Sequence, residues 1–293
     1  MPRRLATGGL IDRSAPLSFS FDGKVMTGFA GDTLASALLA NGVRLVGRSF
    51  KYHRPRGIMT AGVEEPNGLV TVGEGARQEP NIPATMTELT EGLTARSQNG
   101  WPSLAFDLMA MNSLFKPLLA AGFYYKTFMG PTTRSWMVYE PLIRRAAGLG
   151  VASREADPDR YETRHLFCDV LVIGGGPAGV SAASAAAESG GRVVLVEQDS
   201  VLGKPNPPAQ VTVMTRTTAL GIYDGNTVPL LERCVHGRAR QVLHLCRAKS
   251  IVYACGATER PLVFANNDRP GVIWPRLHGP ISPGSPCWSV SAS

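Results

Sequence analysis

The stretch from Cys168 to Glu197 constrains this chain more than any other. Cys168-Asp169-Val170-Leu171-Val172-Ile173 is a short apolar run of the kind found in a parallel strand buried on both faces. It leads directly into Gly174-Gly175-Gly176-Pro177-Ala178-Gly179, a Gly-x-Gly-x-x-Gly loop, and then into the alanine-rich Val180 to Ser189, which reads as a helix ending at Gly190-Gly191. Arg192 to Val196 predicts a second strand, with Glu197 and Gln198 at its end. Each residue type has a task. Gly174 permits the tight turn, Gly176 lets backbone amides approach a pyrophosphate, and Gly179 lets the helix lie close against the strand. The helix dipole and its free amides then hold phosphate charge, while a carboxylate at position 197 can reach a ribose hydroxyl. The unit therefore predicts a bound dinucleotide, NAD as the leading ligand or FAD. Glu197 favours NAD over NADP, because it would repel a 2′-phosphate. Further candidate contacts are Gly203 and Gly256, the latter closing Lys249 to Ala257, a second buried strand ending in Ala254-Cys255-Gly256.

The region before this unit has a different grammar. Leu17 to Phe21 alternates apolar and polar residues, Asp22-Gly23 supplies a hairpin turn, and Lys24 to Phe29 resumes as a strand. Asp32 offers an N-cap for a helix over Thr33 to Asn41, and Gly42 suits its stop. With Val43 to Val46 and Leu69 to Val72 as further strands, residues 10–100 predict a small β-grasp, ferredoxin-like α+β domain. The cationic, aromatic loop Arg48 to Ile58 is either a contact to a cofactor phosphate or partner, or a solvated loop pinned by Pro55. Residues 74–102 read as an extended connector. Residues 101–164 read as a helical connector rich in large apolar groups, which suits either a core or a face made for another chain. The dinucleotide domain is expected over 165–272, and 273–293 reads as an irregular tail. The fold class is α/β: a Rossmann-like parallel sheet preceded by the β-grasp domain.

Charge and cysteine usage narrow the function classes. The formal charge is +7, but the basic residues are scattered, so no nucleic-acid partner is expected. Five cysteines lie far apart with no Cys-x-x-Cys, which argues against zinc and disulfides and fits a reducing cytoplasm. The basic Met1-Pro2-Arg3-Arg4 is not followed by an apolar run of signal-peptide length, so export is not expected. Leu104 to Tyr125 carries Asp107, Lys116 and Pro117, and no membrane crossing is expected of it. Cys255 lacks an adjacent base and reads as a small buried residue. Tyr223, Asp224 and His236 show no pairing that would make them acid–base groups, and no catalytic residue is assigned.

Gly47 to Ile58, Lys126-Thr127-Phe128-Met129, Tyr139-Glu140-Pro141, Ile143 to Gly150, the glycine loop, Arg216-Thr217-Thr218, Tyr223 to Asn226 and Ala257 to Val272 resemble the α subunit of heterotetrameric sarcosine oxidases. The resemblance covers about residues 8 to 272. It implies an oxidoreductase acting on the CH–NH group of donors, demethylating sarcosine to glycine with formation of hydrogen peroxide. It also implies a hetero-oligomer with a β subunit and smaller subunits, amine oxidation at a flavin of the β subunit, and FMN shared at the interface. The departures are equally definite. No cysteine precedes Cys168, so the ferredoxin-like domain cannot ligate an iron–sulfur cluster by thiolates. After Gly203, Lys204-Pro205-Asn206-Pro207-Pro208 passes almost directly to the Arg-Thr-Thr region, so a piece is missing relative to that family. Two alternatives follow: the corresponding subunit of an amine, opine or cyanide-producing dehydrogenase, and a non-catalytic truncated remnant.

Overall fold

The computed structural model describes residues 11–117, 130–202, 205–235 and 237–274, with a few isolated positions besides. Two compact units emerge: one runs to Ala156 and takes in the segment from Glu259, the other is Asp157–Thr258. The expected connector 101–164 is therefore no body of its own. Residues 259–272, expected with the dinucleotide domain, lie in the first unit, where Asp268 pairs with Arg54 at 2.6 Å and Arg56 at 2.5 Å.

In the first unit β1 (Asp12–Phe21) and β2 (Lys24–Ala30) form the expected hairpin. Asp22 and Gly23 both take positive φ, 47° and 75°, so the turn's twist matches that of the strands. Helix α1 (Leu34–Ala40) follows, but its N-cap is Thr33, not Asp32. The Thr33 side chain accepts from Ser36 N while Ser36 Oγ accepts from Thr33 N, a reciprocal capping box. Asp32 is buried instead, accepting from Phe29 N, Ser36 Oγ and both terminal nitrogens of Arg4.

After α1 the expected strand Val43 to Val46 is shifted to the two-residue pair β3 (Gly47–Arg48) and β4 (Pro55–Arg56). Strand β5 (Leu69–Val72) forms as expected. The expected connector 74–102 instead supplies β6 (Glu79–Pro83) and β7 (Leu93–Ser97). The sheet order is β2-β1-β7-β5-β6, with β7 central and parallel to β1. Phe19, Phe21, Leu34, Leu38, Val46, Ile58, Val70 and Ala95 make the core between this sheet and α1.

Between residues 101 and 156 a 3₁₀ stretch, Leu108–Phe115, and helix α2 (Trp136–Ala146) are formed. Among the described residues here Leu104 is buried, whereas Phe106 is 65% exposed, Leu114 72%, Met137 71% and Leu142 67%.

The second unit is a six-stranded sheet, β10-β9-β8-β13-β12-β11. Strand β8 is Tyr161–Ile173, longer than the expected run because it pairs in parallel with β13 (Gln241–Tyr253) along its whole length. Helix α3 (Pro177–Glu188) crosses to β9 (Val193–Val196), also parallel to β8. Strand β10 (Thr212–Met214) adds to β9 in parallel, whereas β11 (Thr217–Ala219) and β12 (Thr227–Arg233) join antiparallel beyond β13. Val180 and Ala183 of α3 meet Val172, Val193 and Leu195 in a closed apolar layer.

Candidate functional site

Chain order reverses at β8, which has β9 on one side and β13 on the other. Such a switch point opens a crevice at the carboxyl ends of the strands, where open α/β sheets take their ligands. The three strand ends are level here, since Ile173 pairs with both Val196 and Tyr253. The glycine loop leaves β8 at this point, with Glu197 on one flank and Cys255-Gly256 on the other.

Each glycine is explained by what a methyl group would meet. Gly174 has φ +107°, and a Cβ there would lie 2.4 Å from the Ala254 carbonyl oxygen. A Cβ on Gly179 would fall 1.8 Å from the Gly174 carbonyl oxygen, so helix and loop touch backbone to backbone. Gly175 is closed in by Leu202 and Glu197. Gly176 is different: a Cβ there would meet nothing within 4 Å. Gly176 is also the N-cap of α3, it makes no side-chain cap, and Pro177 sits in the first turn. Val180 N donates to Gly176 O at 2.9 Å, closing the first turn. The amides of Ala178 and Gly179 lie ahead of that bond, where a helix leaves its donors without intrahelical acceptors. The arrangement is an open, positively polarised cradle suited to a pyrophosphate.

Glu197 is set by the loop itself. Its Oε2 accepts from Gly175 N at 2.6 Å and its Oε1 from Asp199 N at 3.0 Å. A carboxylate has about four lone-pair positions, so two amides leave capacity for sugar hydroxyls. Gln198 follows, its carbonyl accepting from Arg233 at 3.0 Å. Gly256, at φ +71°, has open space around it. Cys255 is exposed, not buried as its sequence context implies, because sheet pairing stops at Tyr253 and the chain turns outward. Gly203 and His236 lie outside the described residues, and Tyr223 is 62% exposed.

In the first unit the loop Arg48 to Ile58 is buried at His53, Gly57 and Ile58, while Phe50 is exposed. His53 is 1% exposed at φ 51°, with Nδ1 2.6 Å from Asp107 Oδ2. The Arg48 side chain donates to the Leu104 and His53 carbonyls. The sequence gives no sign of a second buried carboxylate, Glu65, which is 4% exposed. Its Oε2 accepts from Met59 N at 2.7 Å and Thr60 N at 2.9 Å, and its Oε1 from Asn67 N at 2.8 Å. Burial pushes the Glu65 carboxyl up from its ordinary 4.5, against the opposing pull of these amides. The folded value lies above the unfolded one, so this group's contribution to stability is full below pH 4.5 and is lost as pH rises through the raised value. Urea midpoints of the wild type and Glu65→Gln, compared from about pH 4 to about pH 8, should show the wild type losing ground as pH climbs. Parallel profiles would contradict this reading of Glu65.

Comparison with known proteins agrees with this two-module layout. The 2Fe-2S iron-sulfur cluster binding domain family matches residues 14–100, and the FAD dependent oxidoreductase family matches residues 169–264. The glycine loop, its helix and Glu197 fit the second description. The residues do not fit the first: no cysteine lies between 14 and 100, and among the described residues no group of His, Cys, Asp and Glu could hold a metal ion. Also among the described residues, no helix is long and apolar enough to cross a membrane.

The chain is 53% identical to sarcosine oxidase subunit alpha of Rhizobium meliloti (strain 1021) over 92% of its own length and 30% of the relative's. It is 34% identical to the subunit of the same name from Corynebacterium sp. (strain U-96), over 93% of this chain and 27% of that one. It thus spans under a third of these relatives. The alignments run over 302 and 312 positions, each longer than this 293-residue chain, so both relatives carry residues that it lacks. The fold is similar to that of L-proline dehydrogenase from P. horikoshii, with a TM-score of 0.54 and 20% identity, over 91% of this chain and 46% of that one. Nothing in these matches favours the NAD expected as leading ligand, whereas the family over the glycine loop is described by FAD. Over nine-tenths of its length the chain is a homologue of sarcosine oxidase subunit alpha, carrying an FAD-dependent oxidoreductase module behind a ferredoxin-like module without cluster ligands.

Proposed function

We propose that this chain is the dinucleotide-binding portion of the alpha subunit of a flavin-dependent sarcosine oxidase, an oxidoreductase acting on the CH–NH group of its donor. The observation that carries the reading is the 53% identity to such a subunit, sustained across both modules. The amides of Ala178 and Gly179 would hold the pyrophosphate, Glu197 the adenosine ribose, and Gly256 the far side of the crevice. When bound, the dinucleotide supplies a redox-active ring that takes up or passes on an electron pair. The chain's own residues bind the adenosine half, which FAD and NAD share, and FAD is the reading the family match supports. Removing the carboxylate in Glu197→Ala should cost about 2 kcal/mol of binding, on the order of thirtyfold in Kd. Titration of FAD or ADP into the variant checks this, and unchanged affinity would remove Glu197 from the site.

The complete reaction, sarcosine to glycine with hydrogen peroxide formed, requires more than this chain. The exposed Phe106, Leu114, Met137 and Leu142 are the groups we assign to contact with a β-type subunit, which would carry the amine-oxidising flavin, with FMN between the two. Coexpression with a β-type subunit tests this: a stable complex with sarcosine-dependent peroxide formation is expected, and two chains that purify separately would refute it. The residues missing relative to the relatives favour one second reading, a non-catalytic remnant, which holds no nucleotide when purified. A cluster-bearing dehydrogenase subunit is disfavoured by the absence of cysteine from residues 14–100.

A further inference from the structure

The first module matches a cluster-binding domain and has no cysteine, yet it has kept a buried, ion-holding loop. Plant-type two-iron domains ligate their cluster through thiolates at C-x₄-C-x₂-C spacing, with a fourth far along the chain. Thr60, Glu65 and Gly68 stand at that spacing. They also converge in space. Glu65 takes the amides of Met59, Thr60 and Asn67, and the Gly68 amide is directed at it as well. A Cβ on Gly68 would come within 3.3 Å of Glu65 Cγ and 3.8 Å of Ala84 Cβ. Ala84 N donates to Gly68 O at 2.8 Å, and the next residue, Thr85, donates from Oγ1 to Gly62 O at 2.9 Å. Thr85 is thus the distant fourth position brought to the same loop. Thr60 is 0% exposed, and Glu65 and Thr85 are 4% exposed.

An iron–sulfur cluster held by four thiolates is an anion whose sulfurs accept backbone amides. We propose that residues 59–68 with Thr85 are a vacated [2Fe–2S] ligand loop, in which the Glu65 carboxyl group has taken the place of the cluster as the acceptor that the loop's amides surround. The module keeps its shape without metal because a side chain of its own fills the place and accepts the loop's amides. Electrons have no path through it, so any redox work of the chain falls to the second module.

The test rebuilds the ligand set in the full chain. The quadruple variant Thr60→Cys, Glu65→Cys, Gly68→Cys, Thr85→Cys is incubated anaerobically with ferrous iron and sulfide, desalted, and assayed by visible absorbance and by electron paramagnetic resonance after reduction. About two irons and two sulfides per chain are expected. At position 68 the tightest contact is the tip of the Ile58 side chain, at 2.9 Å, which can rotate away. The triple variant that keeps Glu65 should hold no cluster, because the carboxylate fills the space. A folded quadruple variant without cluster, or a triple variant that assembles one equally well, would overturn the proposal. Glu65→Ala decides independently if the quadruple variant does not fold. With the carboxyl group gone, added formate should raise its thermal midpoint, while the wild type should not respond. Indifference of Glu65→Ala to formate would likewise overturn the proposal.

Discussion

Gly179→Ala should abolish dinucleotide binding by preventing the loop from forming, whereas Gly176→Ala should weaken binding in a chain that folds normally. The two glycines are three residues apart in one motif but do opposite work. At position 179 a methyl carbon would stand 1.8 Å from the Gly174 carbonyl oxygen, and neither backbone can yield without lifting α3 off β8. Overpacking of this kind costs about 3 kcal/mol or more, because the obstruction is backbone and not a side-chain tip. At position 176 the same methyl meets nothing, and φ there is −72°, which any residue adopts. Its cost to folding is limited to the weaker N-cap, about 1 kcal/mol at most. The methyl nevertheless projects where the pyrophosphate must approach the amides, so affinity should fall at least about tenfold, or 1.4 kcal/mol. Urea denaturation and calorimetric titration on both variants separate the effects. Equal stability of the two, or full binding by Gly176→Ala, would show that the cradle is read incorrectly.

Asp107→Ala should be among the most destabilising substitutions in the first unit, by about 3–5 kcal/mol. The side chain is fully buried. Its Oδ2 meets His53 Nδ1 at 2.6 Å, and its Oδ1 accepts from Trp101 N at 3.0 Å and Met109 N at 3.1 Å. Arg48 Nε lies 3.9 Å away. His53 Nε2 already has no partner, so loss of the carboxylate would leave the imidazole without any hydrogen bond in an environment closed to water. Asp107→Asn keeps an acceptor for the two amides and should cost appreciably less. Thermal or urea unfolding of both variants checks the order, and an Asp107→Ala chain as stable as Asp107→Asn would show that the acceptor taken by the Trp101 and Met109 amides contributes nothing.

What the sequence disclosed was local. The Asp22-Gly23 turn, the α1 helix and the order strand, glycine loop, helix, strand, acid are all written within a few residues of one another, and all of them form. Long-range pairing was hidden. Leu93–Ser97 lacks a clear alternation and becomes the central strand only because β1, some seventy residues earlier, lies alongside it. Asp32 reads as a cap from sequence, but Thr33 is free to do that work once Arg4 and Ser36 engage the buried carboxylate. Glu65 and Asp107 carry no sequence signal of burial, since the amides and the imidazole that hold them come from backbone geometry and from a segment fifty-four residues away. The apolar residues of 106–142 suit either a core or a covering partner by composition; among the described ones, the exposure of Phe106, Leu114, Met137 and Leu142 is visible only in the fold.

The central claim is that the turn from Ile173 into Val180 holds the pyrophosphate of a dinucleotide. The most direct measurement is acid release of bound nucleotide from the purified full chain, identified by chromatography, followed by calorimetric titration of the stripped chain with FAD, NAD and ADP. The account expects FAD in the released fraction and heat with every ligand that carries the adenosine diphosphate half. A folded chain that releases no nucleotide and shows no heat with any of the three would contradict it.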